Sequence, residues 1–231
     1  MESVTEWAEQ ITRGVCSFWR QLEQEGNALP SGVSVFYGPV RKRPEVMIVG
    51  INPGGGCESF DRLRCEEIPS IHEYITYESY PDYPIAGRMC ELFRRTGRFD
   101  LLERSVKLNL NFFRTTGEGE WNQLPRPLRQ RIRVFCDEQV NRIIAYLAPR
   151  VILAEGLSTF NRLRQLSTLR GLVLSWEVQD RRLYRTSETE GQLLIGIRHP
   201  TGPGRPGKEG WKTIGTFLKA DLSRVLLSLS P

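Results

Sequence analysis

Glu45-Val46-Met47-Ile48-Val49-Gly50-Ile51-Asn52-Pro53-Gly54-Gly55-Gly56 sets the architecture of the chain. Four consecutive branched or apolar residues without polar alternation read as a strand buried on both faces, the pattern of a parallel sheet. The run stops abruptly at Asn-Pro-Gly, a sequence that bends the backbone. Working outward, three more runs end in the same way. Ser105–Asn111 feeds a polar loop from Phe112 to Pro127, Val151–Glu155 ends at Gly156, and Leu193–Arg198 ends at His199-Pro200-Thr201-Gly202.

Helical spacing lies between and around these runs. Ser3-Val4-Thr5-Glu6 reads as a capping box, with Trp7, Ile11, Val15, Phe18, Trp19 and Leu22 on one face up to Gly26. Further helices are expected over Ala86–Arg95, from Leu128 to Leu147, over Thr159–Leu166, and from Trp211 to Leu229. Val33–Tyr37 reads as a short strand, and Leu172–Val178 with Arg182–Thr186 as a hairpin. Residues 57–83, with four tyrosines and Pro69 and Pro81, are too long for a simple connection and read as an irregular insertion. Strands alternating with helices predict an α/β domain over 1–231, with residues 1–40 as N-terminal helix and lead-in. Its parallel sheet is covered on both faces. In such a sheet ligands bind beyond the carboxyl ends of the strands, so the loops after Gly50, Asn111, Glu155 and Arg198 should converge.

The 231 residues carry 32 Lys+Arg against 27 Asp+Glu, a formal charge of +5. Only five of the basic residues are lysine. Arginine's planar donor fork suits phosphate and base edges, although codon bias explains the same excess. No apolar run reaches the length of a membrane span, and no signal peptide is visible at the N-terminus, so a cytoplasmic, reducing location is expected. The five cysteines, Cys16, Cys57, Cys65, Cys90 and Cys136, show no C-x-x-C pair and read as unpaired. With His72 and His199 as the only histidines, neither a metal nor another cofactor is expected.

Three segments carry polar groups to strand ends. Gly50-Ile51-Asn52-Pro53-Gly54 projects an amide into the cleft, although Asn-Pro-Gly is also a common turn. It is neither a Walker A loop nor G-x-G-x-x-G. His199 opens a nine-residue segment holding three Pro and three Gly, a loop costly to keep rigid without a purpose. Asn109 and Asn111 offer paired donors and acceptors suited to a base edge, with strand-end capping as the structural alternative.

Together these segments resemble the uracil-DNA glycosylase superfamily. Gly50-Ile51-Asn52-Pro53-Gly54 is similar to the first motif of its mismatch-specific branch, and His199-Pro200-Thr201 to its second, usually His-Pro-Ser. Pro203 to Trp211, with Lys208-Glu209-Gly210-Trp211, resembles the single-strand-selective monofunctional branch. The resemblance runs from about Val46 to the C-terminal helix and is weak over 1–40 and 57–83. It implies a three-layer α/β/α sandwich around a mostly parallel sheet of about four strands. It also implies a monofunctional DNA glycosylase that releases uracil or a 5-substituted pyrimidine and acts on DNA as a monomer, with no membrane and no metal.

On that resemblance His199 donates to the base O2 and Asn52 holds the attacking water. Gly50, Ile51, Pro53 and Gly54 line the base pocket, and Asn109 or Asn111 reads the base edge, Asn109 being preferred for its spacing from Arg114. Gly54 stands where the uracil-specific branch carries a Tyr, so 5-substituted bases are admitted. The usual stacking aromatic is missing at Leu63-Arg64-Cys65, leaving Phe60 as the nearest candidate and Tyr74 or Tyr77 as others. Arg114, Ser158, Thr201, Arg205 and Lys208 are the implied DNA contacts, with Arg205 as wedge. Arg126, Arg129, Arg131 and Arg133 read as solvated helix charges. Excision of bulky modified pyrimidines from foreign phage DNA is the alternative role; a non-catalytic nucleic-acid-binding module and a nucleoside hydrolase are the rivals.

Overall fold

The computed structural model describes residues 2–27, 32–52, 68–114, 118–166, 169, 183–189, 192–201 and 204–227. In chain order its elements are α1 (Val4–Gln24), β1 (Val46–Gly50), α2 (Glu73–Thr76), α3 (Pro84–Thr96), α4 (Phe99–Glu103), β2 (Val106–Asn109), α5 (Glu118–Gln123) and α6 (Arg126–Leu147). There follow β3 (Val151–Glu155), α7 (Leu157–Leu163), β4 (Tyr184–Thr189), β5 (Gln192–Ile197) and α8 (Lys208–Leu227).

The five strands form one sheet in the order β2-β1-β3-β5-β4. The first four are mutually parallel, and β4 runs antiparallel to β5. From β1 the chain moves to β2 on one side, then crosses back to β3 on the other. Right-handed crossovers in opposite directions put the intervening helices on opposite faces. One face accordingly packs α1, α6 and α7 against Met47, Val49, Leu108, Ile152 and Ala154. The other packs α3, α4 and α8 against Val46, Ile48, Val151, Leu153 and Ile195. The result is an α/β/α sandwich.

Local sequence explains the boundaries. Ser3 and Glu6 form the reciprocal cap of α1, with bonds of 3.1 and 2.7 Å. Pro84 opens α3, and Gly97 closes it with φ +73°, a conformation glycine adopts without strain. The fifth strand exceeds the four expected. Only two residues separate β4 from β5, and so short a link joins antiparallel neighbours alone. Arg182–Thr186 was expected to pair with Leu172–Val178; β4 instead pairs with β5, and residues 172–178 lie outside the described set. Among the described residues Val33–Tyr37 makes isolated bridges, Val33 to Phe113 and Phe36 to Leu108, in place of a strand. Within the expected insertion 57–83, the described part contains the short helix α2. Cys90 and Cys136 are free and buried, but Cys16 is disulfide-bonded, correcting the expectation that all five cysteines are unpaired. No helix among the described residues is long and apolar enough to cross a membrane.

Candidate active site at the carboxyl edge of the sheet

The strand register aligns Asn109 with Gly50 and Glu155 with Ile197 near the carboxyl ends of four adjacent strands. Asn52 follows β1 by two residues and His199 follows β5 by two. β1 and β5 are second neighbours across β3, so at strand spacing their ends leave the sheet about 10 Å apart. Both residues are half-buried. The turn carrying Asn52 is tied to the segment after β2 by bonds from Leu110 N to Gly50 O and from Asn111 N to Ile51 O, each 2.9 Å. Ile51 packs against the apolar layer below.

His199 Nδ1 accepts a hydrogen bond from the Thr201 backbone N–H at 3.3 Å. In the neutral ring this leaves the proton on Nε2, which becomes a donor. Burial lowers the His199 pKa, with Lys107 adding to the effect and Glu155 opposing it. The imidazole is therefore neutral near pH 7. The loop beyond it is clamped by Arg198, whose Nε donates to Gly204 O at 2.8 Å.

Beneath this edge lies a buried polar cluster that sequence reasoning missed. Lys107, in β2, is only 3% exposed. Its ammonium lies 2.6 Å from Glu73 Oε1 and 3.6 Å from Glu155 Oε2. Tyr74 donates its hydroxyl to Glu155 Oε1, and Tyr83 donates to Glu73 Oε1 at 3.0 Å. Burial opposes the Lys107 charge, but the Glu155 and Glu73 carboxylates more than offset it and hold the ammonium above its ordinary pKa. Burial pushes the Glu73 carboxyl up, with Lys107 pulling the other way. Tyr37 is raised to about 12 by burial and by Glu73. A signal was present: Lys107 and Glu155 are charges inside otherwise apolar strands, and a charge so placed needs a partner.

The expected site residues divide into several groups. Gly50 is required where it stands, because a Cβ there would overlap Asn109 Oδ1 and lie 3.1 Å from Glu155 Oε2. Asn109 and Asn111 do not share one face: β2 ends at Asn109, and the chain turns. Asn109 turns its amide toward Gly50, whereas Asn111 Oδ1 accepts from Arg162 of α7 at 2.6 Å, a guanidinium also held by Asp137 of α6. Arg114, expected at the DNA surface, is buried at 6%, its side chain lying against Gly32. It presents no guanidinium to a surface phosphate. Tyr74, a stacking candidate, is fully buried and committed to Glu155, while Tyr77 packs edge-on with Tyr80 and Tyr83.

Ser158 is exposed in the first turn of α7, but Thr159 donates to Glu155 O at 3.0 Å within that turn. Thr201 is half-buried beside His199, and Arg205 and Lys208 are exposed. Arg129, Arg131 and Arg133 of α6 bond Asn122, Glu25 and Asp137, as solvated helix charges do. Pro53, Gly54 and Phe60 lie outside the described residues, as do Gly55, Gly56 and the 63–65 segment.

Among the described residues no group of three His, Cys, Asp or Glu side chains is placed to hold a metal ion. The arrangement offers a neutral N–H donor and an amide, held on separate loops at one sheet edge above a rigid ionic base. Comparison with protein-family models and with curated proteins finds no match to this chain.

Proposed function

We propose that the protein is a monofunctional DNA glycosylase that hydrolyses the N-glycosidic bond of uracil or a 5-substituted pyrimidine in DNA. The observation carrying this reading is the placement of Asn52 and His199 after β1 and β5 at one sheet edge, with the imidazole neutral and its proton on Nε2.

Breaking an N-glycosidic bond leaves the bonding pair on the base and a cationic, oxocarbenium-like sugar. His199 donates to the base O2, where negative charge develops. Such a donor in a water-poor site is commonly worth about 3–4 kcal/mol in the transition state. Asn52 holds a water against C1′; that carbon needs a positioned nucleophile more than a deprotonated one. The water oxygen bonds C1′, its surplus proton passes to solvent or the departing base, and the products are a free base and an abasic site. No lysine in the motif loops stands in an obvious Schiff-base position, so strand cleavage is not part of the reaction.

The test incubates the protein with single- and double-stranded oligonucleotides carrying uracil, mispaired thymine or 5-modified cytosines, followed by alkaline cleavage of abasic sites. Asn52→Ala and His199→Ala should each slow base release by about 10²-fold or more while oligonucleotide binding is largely kept. Binding without release on every substrate identifies an inert binding module. Turnover of free nucleosides instead identifies a nucleoside hydrolase.

A further inference from the structure

A second basic feature begins at the candidate site and leads away from it. On α3, Arg88 and Arg95 share one face at positions i and i+7, with Glu91 between them. On α8, Lys208, Lys212 and Lys219 share a face at i, i+4 and i+11. Two adjoining cavities lie along these stripes. One, of about 400 Å³, is lined by Arg88, Arg95, Arg205, Lys208 and Trp211 and reaches Pro200, directly after His199. The other, of about 490 Å³, continues past Arg95 to Lys212 and Lys219.

Two acidic groups temper the charge. Glu91 bonds Arg88 at 3.3 Å and Arg95 at 2.6 Å, and the exposed Glu209 pairs with Lys212 at 2.8 Å. The lining still holds six basic side chains against the single carboxylate of Glu91. Trp211 lines the first cavity and is 4% exposed. The excess of cations along an elongated open groove suits a polyanion.

We infer that the α3–α8 groove binds the phosphodiester backbone of the DNA strand flanking the extruded nucleotide. Lys208 to Lys219 spans about 16 Å of helix, long enough to follow several successive phosphates. The inference rests on the glycosylase reading only for the choice of DNA as the polyanion.

The test measures binding of single-stranded oligonucleotides, one of five nucleotides and others extended on either side of the target base, across a salt series. Combined Arg95→Ala, Lys212→Ala and Lys219→Ala should weaken binding of one extended oligonucleotide by about tenfold or more and flatten its log K against log salt slope by about two. The five-nucleotide oligonucleotide should be much less affected. Arg126→Ala, Arg133→Ala and Arg142→Ala on α6 remove the same charge from another helix and should leave the slope nearly unchanged. Equal slopes in the unaltered and groove-altered proteins overturn the groove. So does equal loss on short and long oligonucleotides, or competition by millimolar inorganic phosphate that reproduces the whole loss, which would mark a small-anion site. If the unaltered protein binds DNA but releases no base, the glycosylase reading fails and the slopes still judge the groove.

Discussion

His72 and His199 solve the same local problem: each Nδ1 accepts the backbone N–H two residues on, from Tyr74 at 3.1 Å and Thr201 at 3.3 Å. Their pH consequences differ with depth. Burial, aided by Lys107, lowers the His72 pKa to about 3 from an ordinary 6.5. The unfolded chain binds that proton between these values and the folded one does not, so the stabilisation is complete above pH 6.5 and is lost as pH falls. Within the window each pH unit removes about 1.4 kcal/mol. Urea unfolding of His72→Gln across pH 4–7 should show a correspondingly shallower acid slope. For His199, protonation would set an Nδ1–H against the Thr201 N–H. Base release should therefore be level at neutral pH and decline in acid with a midpoint below 6.5. A midpoint above that value would contradict a neutral donor.

Lys107 tests the ionic base. Lys107→Met leaves Glu73 and Glu155 facing each other without a cation and should cost about 3–5 kcal/mol in urea unfolding. Adding Glu73→Gln should recover part of the loss, giving a measurable coupling energy. At this scale the sequence was legible where a polar residue ended an apolar run, as at Asn52 and His199. It was less so at Asn109 and Asn111, because their common orientation assumed a strand that ends two residues sooner.

Among the elements, β1, β3 and β5 were readable because unbroken apolar runs have few alternatives to a covered parallel strand. α4 and α5 were not, since five or six residues carry too little periodicity to register. The β4–β5 hairpin was half visible: Arg182–Thr186 signalled a strand, but its partner depends on which neighbour the short link permits. Gly204 has φ +67°, and any Cβ there would run into the Arg198 guanidinium. Gly204→Ala should therefore leave the sheet intact by circular dichroism and lower base release through displacement of the Arg205–Lys208 segment. Unchanged release would show that the clamp has no bearing on chemistry.

Across the molecule, two apolar layers enclose a sheet that holds a buried ionic cluster beneath its carboxyl edge. The two layers and the polar loops at that edge were foreseeable from strands alternating with helices. The lysine with its two carboxylates was not, because Glu73 lies in the long connection after β1, whereas Glu155 and Lys107 meet only across the folded sheet. Gly196 shows how tightly the layers close: a Cβ there would lie 2.6 Å from the Phe160 ring. Gly196→Ala should consequently lower the melting temperature as overpacking does, by about 1–3 kcal/mol in stability.

β3 lends neither the amide nor the imidazole, yet it is the spacer that holds them apart. On the glycosylase reading, a pocket for larger bases has more latitude in the loops than in this strand. One inserted residue in Val151–Glu155 would shift its register against β1 or β5 and so displace one jaw relative to the other. Efforts to widen the mouth are better spent anywhere else.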